Sequence, residues 1–249
     1  MSILLRDVHK AFGPKRVLAG VDLEVREGET MAVIGYSGAG KSVLLKSVVG
    51  LLMPDRGTVE VDGARVDEMT REELTEMRRK IGYVFQFAAL FDSMTIAENV
   101  AMGLHRIPGM SPEEIDGRVA SSLASVELAD YGDRVPSELS GGQRKRAGLA
   151  RAIATRPKYL LYDEPTTGLD PVTTAVIDSL IKKMDEELGV TSVVITHDMR
   201  SAGRVSDRIA MLFDGAIRWV GTPADLETTQ DPVVRAFVEG RPDLAGEAA

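Results

Sequence analysis

The sequence predicts an α/β fold built around a mostly parallel β-sheet. Short apolar segments alternate along the chain with segments of helical periodicity, and this alternation is typical of a parallel sheet covered by helices. The first 35 residues instead have only β-type patterns, and residues 87–140 have only helical ones. We therefore expect a β-rich start, an α/β core and an inserted helical subdomain.

Each element follows from its own pattern. Strands are predicted from short apolar or alternating runs, and helices from apolar residues three and four positions apart. Inside the insertion, Ser111 and Glu114 fit a capping box with Pro112 at the first helical position. The predicted strands are at 3–8, 21–25, 31–34, 58–66 (with a turn at Asp62-Gly63), 81–85, 159–162, 192–196 and 209–213, and the main helices at 43–49, 71–80, 142–155 and about 231–239.

The domain organisation follows from these elements. We expect residues 1–222 to form a single domain, into which residues 87–140 are inserted as the helical subdomain. Residues 223–249 are expected to form a C-terminal helical tail.

The composition excludes several classes of protein. The 249 residues include 30 Lys and Arg against 38 Asp and Glu, which gives a net charge of −8, and they include no cysteine. This ordinary composition argues against disordered and collagen-like chains, and the lack of cysteine excludes disulfides and thiolate metal sites. The acidic balance argues against direct binding of nucleic acid.

No membrane-spanning segment is expected from the sequence. No run reaches 18 apolar residues, and Arg6, Asp7 and Lys10 lie where a secretory signal would need an apolar core. We therefore expect a soluble, cytoplasmic protein whose membrane role, if it has one, depends on a partner.

A phosphate-binding loop is predicted at residues 35–42. The pattern Gly-x4-Gly-Lys-Ser lies between a strand and a helix, which is the context that this loop requires. Its glycines let backbone N–H groups face a phosphate, and the start of the helix adds partial positive charge. Lys41 is expected to reach the β- and γ-phosphates, and Ser42 to bind Mg²⁺. The predicted nucleotide contacts are Gly35, Tyr36, Ser37, Gly38, Ala39, Gly40, Lys41, Ser42 and Val43.

Two carboxylates follow the apolar strand at residues 159–162. Asp163 is expected to hold the Mg²⁺ shell, and Glu164 to orient the water that attacks the γ-phosphate. A positioned general base contributes a rate factor of about 10²–10⁴. The alternative is that both are surface acids in ion pairs.

Residues 139–143, Leu-Ser-Gly-Gly-Gln, indicate a second phosphate site. Ser140 can cap the following helix, whose N-terminus favours an anion. Because residues 35–42 already supply this chain's own phosphate site, the second one makes sense if it completes the site of another copy. This motif occurs together with the phosphate loop, residues 159–164 and Ile-Thr-His-Asp at 195–198, in this order. With these motifs, the chain resembles the ATP-binding subunit of an ABC transporter over about residues 3–222.

The resemblance implies a fold and further site residues. The fold would be a P-loop NTPase of the ABC ATPase type, with a RecA-like core, an N-terminal antiparallel β-subdomain and the helical insertion. Phe12 takes the position that stacks on adenine, Gln86 the position that touches Mg²⁺ or water, and His197 the position that contacts the γ-phosphate. Asp170 lies in the loop that crosses the dimer interface. The resemblance implies catalysis by Lys41, Glu164 and His197. It implies Mg²⁺ ligands at Ser42, Gln86 and Asp163. It also implies that a signature motif, formed by Ser140, Gly141, Gly142 and Gln143, acts in trans on the nucleotide of the other copy.

The resemblance also implies partners. Both halves of the composite site lie in this chain, so a homodimer would close around two ATP molecules and open after hydrolysis. Thr167 and Gly168 stand where many relatives have Ser-Ala, a departure that leaves Asp170 in place. The apolar residues 87–91 are expected to line the groove that receives a cytoplasmic helix of a membrane permease. That permease would hold the chain on the inner face of the inner membrane.

Within this family, three stretches are most similar to the MlaF-type ATPase of Mce-linked phospholipid transporters. They are residues 85–100, 139–151 and 231–240. In those systems the partners are an MlaE-like permease, an MCE-domain subunit and a STAS-domain protein, and the tail can reach the partner ATPase. ATP hydrolysis would then drive phospholipid transport between membranes.

Other functions share the same catalytic residues. An amino-acid importer or a lipoprotein-release ATPase would differ only in the three stretches just named. A non-transport ABC ATPase of DNA repair or translation usually needs long coiled coils or two cassettes, and the sequence has one cassette and no heptad array. A P-loop kinase or GTPase is disfavoured by residues 139–143 and by the lack of an Asn/Thr-Lys-x-Asp guanine-reading motif.

Overall fold

The computed structural model describes residues 2–241, which divide into two compact units. The first unit comprises residues up to 78 and from 191 onward, and the second residues 79–190. The strands are β1 (Ile3–Phe12), β2 (Lys15–Val25), β3 (Thr30–Ile34), β4 (Arg56–Val61), β5 (Ala64–Arg65), β6 (Ile81–Val84), β7 (Tyr159–Asp163), β8 (Thr191–Ile195), β9 (Arg208–Phe213) and β10 (Ala216–Gly221). The α-helices are α1 (Lys41–Val48), α2 (Arg71–Arg79), α3 (Ile96–Ala101), α4 (Pro112–Ser125), α5 (Gly141–Ala154), α6 (Pro171–Leu188), α7 (Met199–Val205), α8 (Pro223–Thr228) and α9 (Pro232–Val238).

In the first unit, an antiparallel sheet is built around β1. This strand pairs with β2 on one side and with β4 on the other, and β5 follows β4 as the edge strand. Ile3, Leu5 and Val8 of β1 are buried, because one face of the sheet packs into the core. The pairing confirms the expected N-terminal antiparallel β-subdomain, and the β1–β2 hairpin carries Phe12 at its tip.

The second sheet of this unit places two predicted site segments at one edge. β3 lies between β8 and β9 and runs parallel to both, and β10 is antiparallel to β9. Both β3 and β8 are buried along their whole length, as expected for parallel strands covered on both faces. Val33 lies opposite Ile195, so the loop that starts at Gly35 and the residue His197 leave the sheet at the same edge.

In the second unit, β6 and β7 form a parallel pair. Val84 lies opposite Tyr162, so Gln86 and Glu164 leave their strands side by side. The parallel pairs in both units confirm the predicted α/β fold. The capping box predicted at Ser111 and Glu114 is present at the start of α4.

Helix α5 approaches β6 closely. A Cβ atom on Gly82 would come within 2.5 Å of the Ala152 carbonyl oxygen, so this contact requires glycine. Within the second unit, α3 and α4 pack against α5.

The C-terminal segment is only partly described. Helix α9 corresponds to the helix expected at about residues 231–239. The last part of the predicted tail, residues 242–249, lies outside the described residues. Among residues 2–241, no helix is both long and apolar enough to cross a membrane. The domain limits at 87–140 and at 222 remain predictions.

Candidate nucleotide-binding site

The loop after β3 has the backbone geometry of a phosphate-binding loop. Gly35, Gly38 and Gly40 have φ values of 154°, 82° and 101°, and α1 begins directly after them. A Cβ atom on Gly35 would lie 2.3 Å from the Leu212 carbonyl oxygen, and one on Gly40 would lie 2.9 Å from that of Val17. Glycine is therefore required at both positions. The N–H groups of the first turn of α1 point toward the N-terminal end of the helix, where a phosphate held by the loop would lie.

The Lys41 side chain lies across the start of this loop. It is only 7% exposed, and its Nζ donates to the carbonyl oxygens of Gly35 at 2.8 Å and Tyr36 at 3.0 Å. The ammonium group is thereby held against the loop. A phosphate bound by the loop would gain a charge-assisted hydrogen bond from it.

The first variable position of the loop, Tyr36, is packed against the C-terminal helix. Its ring makes edge-to-face contacts with Phe237 of α9, at a centroid distance of 4.8 Å, and with Phe213 at the end of β9, at 6.1 Å. Asp231 caps α9 and forms an ion pair with Arg218 at 3.0 Å. The C-terminal helix is thus joined to the phosphate loop, a contact that the sequence motifs did not indicate.

Phe12 presents an accessible aromatic ring in the first unit. It is 47% exposed at the end of β1, and the Lys10 Nζ lies 5.9 Å from its ring centroid. Lys10 is itself held by an ion pair with Asp55 at 2.7 Å. An exposed ring on a hairpin tip is available for stacking on a base, as predicted for adenine.

His197 lies between two residues that fix the backbone around it. Thr196 is buried, and its hydroxyl accepts a hydrogen bond from the Asp198 N–H at 3.0 Å. The Asp198 carboxylate caps α7 by accepting from the Arg200 and Ser201 N–H groups. The exposed His197 side chain therefore leaves the sheet at a defined position at the end of β8.

In the second unit, Asp163 and Glu164 have different environments. Asp163 is 8% exposed, and the Tyr83 hydroxyl donates to its Oδ2 at 3.2 Å. Burial and the charge of Asp163 raise the pKa of Tyr83, which stays a neutral donor. Glu164 has a φ of 51°, which is rare for a residue with a side chain and is typical of functional sites. The Thr167 hydroxyl donates to its Oε2 at 2.9 Å.

The loop that contains Gln86 is held by two cations of α5. The Lys145 Nζ donates to the Gln86 carbonyl oxygen and, at 3.3 Å, to the Glu164 carbonyl oxygen. The Arg151 guanidinium donates to the carbonyl oxygens of residues 88 and 89, both at 2.6 Å. Residues 88 and 89 both have positive φ, at 59° and 49°, so these bonds support an unusual backbone conformation.

Helix α5 begins with a capping box at the predicted signature. The Gln143 N–H donates to the Ser140 hydroxyl at 3.3 Å, and the Ser140 N–H donates to Gln143 Oε1 at 2.8 Å. This confirms the cap that the sequence predicted at Ser140. The other N–H groups of the first turn have no partner within the helix, and such groups favour an anion.

A cavity of about 480 Å³ lies next to the signature. It is lined by residues 140–143 and by Gly168, Leu169 and Asp170, so the second unit brings the predicted signature and dimer loop together. The Asp170 carboxylate caps α6 by accepting from the Val172 N–H at 2.9 Å and the Thr173 N–H at 3.0 Å. Its hydrogen bonds, above all that from Thr173, lower the pKa of Asp170, which stays ionised.

The predicted site residues fall into two groups, one in each unit. The phosphate loop, Phe12 and His197 belong to the first unit, and Gln86, Asp163, Glu164, Asp170 and the signature belong to the second. Sequence reasoning missed the residues that hold them: Tyr83, Lys145, Arg151, Thr167 and Phe237. A signal existed for Lys145 and Arg151, because both interrupt the otherwise apolar face of α5.

The predicted Mg²⁺ ligands have suitable chemistry. Ser42, Gln86 and Asp163 would offer hydroxyl, amide and carboxylate oxygens, which are ligands that Mg²⁺ prefers. In the part of the chain from 2 to 241, no group of three or more His, Cys, Asp or Glu side chains could hold a metal.

Known proteins are similar to this chain in sequence, and a solved structure is similar to it in fold. A family model described as ABC transporter matches residues 18–167. The chloroplastic protein TRIGALACTOSYLDIACYLGLYCEROL 3 of Arabidopsis thaliana is 42% identical over 255 residues, which cover 96% of this chain and 73% of that protein. The methionine import ATP-binding protein MetN of Carboxydothermus hydrogenoformans is 42% identical over 240 residues, which cover 95% of this chain and 71% of that protein. The dimeric structure of the ATP-binding cassette MJ0796, in a post-hydrolysis state bound to ADP and Pi, matches with a TM-score of 0.81 and 37% identity, over 89% of this chain and 98% of that one.

Proposed function

We propose that this chain, which belongs to the ABC transporter family, is the ATPase of an Mce/Mla-type phospholipid transport system. As a member of that family, the chain binds ATP and couples its hydrolysis to transport. What supports the lipid part of the proposal is the resemblance of residues 85–100, 139–151 and 231–240 to MlaF-type ATPases, as described from the sequence. A relative named for a glycolipid, trigalactosyldiacylglycerol, supports it.

The site residues have complementary roles in the proposed reaction. The loop at residues 35–42 and Lys41 bind the phosphates, Phe12 stacks on adenine, and His197 contacts the γ-phosphate. Glu164 accepts a hydrogen bond from the attacking water, with its carboxylate oriented by Thr167. Mg²⁺, when bound at Ser42, Gln86 and Asp163, supplies positive charge that stabilises the phosphates.

A second copy of the chain completes each site in this proposal. The signature at residues 140–143 presents a capped helix N-terminus beside a cavity that Asp170 also lines. An arriving γ-phosphate from the partner copy would find backbone N–H groups there. The dimeric state of MJ0796 supports this arrangement.

The substitution Glu164→Gln tests the ATPase site. It keeps the size of the side chain but removes the acceptor charge, so we expect ATP to bind normally while turnover falls by about 10²–10⁴-fold. Light scattering should show an ATP-dependent dimer of this variant. Glu186→Gln, an exposed position on α6, is the matched control. Normal turnover of Glu164→Gln would refute the catalytic role, and a monomer with bound ATP would refute the shared site.

Isolation of the complex tests the lipid proposal. The tagged chain should co-purify from detergent-solubilised membranes with a permease, an MCE-domain subunit and a STAS-domain protein, and mass spectrometry should find bound phospholipid. Amino-acid import is the second candidate, favoured by the 42% identity to MetN. A permease with a solute-binding protein and no MCE-domain subunit would support that candidate instead.

A further inference from the structure

We propose that Lys145 is a positioning residue for ATP hydrolysis, because it joins the loop of Gln86 to the backbone of Glu164. It lies two residues after the signature, and the proposal rests on the role of Glu164 given above. Lys145 itself does not contact the nucleotide in this proposal. It acts by holding two segments whose side chains are proposed to contact Mg²⁺ and the attacking water.

The contacts of Lys145 bring two chain segments to one nitrogen atom. The carbonyl oxygens of Gln86 and Glu164 both accept from its Nζ, across sequence separations of 59 and 19 residues. Because one ammonium group donates both bonds, the two segments cannot separate without breaking a charge-assisted hydrogen bond. The segments that end β6 and β7 are thereby held in one relative position beyond the end of their strand pairing.

The rest of α5 shows that this contact is part of a continuous seam. Lys145, Gly148 and Arg151 are three residues apart and lie on one face of the helix. A Cβ atom on Gly148 would come 3.2 Å from that of Ala88, so a small residue is needed where the helix meets the loop. Arg151 then binds the carbonyl oxygens of residues 88 and 89. The helix that starts with the signature therefore holds the whole loop from residue 86 to 89.

The burial of Lys145 makes its two acceptors necessary. The residue is 7% exposed, and burial lowers the pKa of its ammonium group, while the charge of Glu164 acts in the opposite direction. A buried ammonium group is costly unless its protons are bonded. A long apolar side chain could fill the same space at lower cost, so packing alone does not account for a lysine here.

The consequence concerns the chemical step rather than ATP binding. Glu164 already has a left-handed backbone. Without Lys145, its carbonyl oxygen would lose the charged donor and keep the bond from the Thr167 N–H at 3.3 Å, so the backbone would be less tightly held. A misplacement of about 1 Å at a reacting group can cost roughly 10²-fold in rate. The residues proposed to bind the phosphates and the adenine are residues 35–43 and Phe12, and the hydrogen bonds of Lys145 go to Gln86 and Glu164 instead, so nucleotide affinity should not change.

The experiment compares Lys145→Met with Lys145→Arg in the full-length protein. Lys145→Met fills the site but cannot donate, and we expect kcat to fall by about 10²-fold. The Kd for a fluorescent ATP analogue should stay at the wild-type value, and the Mg²⁺ concentration for half-maximal activity should rise because Gln86 is released. Lys145→Arg, which keeps the donors, should recover part of kcat. Lys182→Met, an exposed lysine on α6, is the control for loss of a positive charge.

Each outcome decides the proposal. A wild-type kcat for Lys145→Met would overturn it, and so would a parallel loss of kcat and ATP affinity, which indicates a purely structural role. If Lys145→Met does not fold, Lys145→Gln replaces it, because its shorter side chain can reach only one carbonyl oxygen; an unchanged kcat then overturns the proposal. Glu164→Gln is measured in parallel. If that variant is active, the catalytic assignment fails; if it is inactive while Lys145→Met is normal, only the role of Lys145 fails.

Discussion

The contact between the C-terminal helix and the phosphate loop leads to a prediction with a defined magnitude. Phe237→Ala removes a half-buried ring that packs edge-to-face on Tyr36 at 4.8 Å. A fully buried Phe→Ala change costs about 3–5 kcal/mol, so a half-buried ring should cost about 1.5–2.5 kcal/mol. About 0.5–1.5 kcal/mol of this belongs to the aromatic pair itself.

Unfolding measurements test this magnitude. For a chain of this size, the loss corresponds to a fall in Tm of roughly 3–10 °C, measured by circular dichroism. Val238→Ala is the matched control, because Val238 lies next to Phe237 on α9 and is 37% exposed. A double-mutant cycle with Tyr36→Ala isolates the pair energy. The reasoning is refuted if Phe237→Ala and Val238→Ala have equal effects, or if the cycle gives no coupling between Phe237 and Tyr36.

The same contact affects ATP binding. The Tyr36 carbonyl oxygen accepts a hydrogen bond from Lys41 at 3.0 Å, so release of the ring should loosen the lysine. Because the coupling is at most about 1.5 kcal/mol, the Kd for ATP should rise by no more than about tenfold. Isothermal titration of Phe237→Ala with a slowly hydrolysed ATP analogue measures this change.

Three further predictions concern other parts of the molecule. Thr167→Val removes the hydroxyl that orients Glu164, so kcat should fall while the Kd for ATP stays constant; equal changes in both would contradict this role. Phe87→Asp places a charge at an 82%-exposed apolar position, so co-purification of the permease should be lost while ATPase activity of the isolated chain persists; retained permease would refute the groove. The pKa of Asp55 lies below its usual 3.8, mainly because of the hydrogen bond from Lys10 and, after it, the hydrogen bond from the Ala11 N–H. The ionised Asp55 therefore stabilises the fold above pH 3.8, and this stabilisation is lost as the pH falls through the lowered pKa. The difference in unfolding free energy between the wild type and Asp55→Asn should be largest near pH 7 and shrink below pH 4. A difference that grows in acid would contradict this pH dependence.

Local chemistry explains why several features could be predicted from the sequence. The caps at Ser111 and Ser140 join residues three positions apart, so their patterns can be recognised in a single stretch of chain. The phosphate loop could be recognised because its glycines follow one another at a fixed spacing and supply the positive φ values of its backbone. The carbonyl oxygens of Leu212 and Val17, which leave no room for a Cβ atom at Gly35 and Gly40, come from distant parts of the chain and could not be predicted. The turn predicted at Asp62 and Gly63 is present between β4 and β5. Element boundaries were less exact: the strand predicted at 3–8 extends to Phe12, and the strand predicted at 21–25 begins at Lys15.

The sequence by itself therefore determined the fold class, the family and the candidate catalytic residues, because each depends on short patterns and on their order along the chain. Only the tertiary structure showed what holds those residues. The bonds of Lys145 to Gln86 and Glu164, and the packing of Phe237 on Tyr36, join segments far apart in the chain. No local pattern encodes such pairs, since they arise when separate helices and strands pack together. Buried polar groups form hydrogen bonds, and aromatic rings pack against other apolar groups. Which residues become their partners depends on how the separate helices and strands come together in the folded chain.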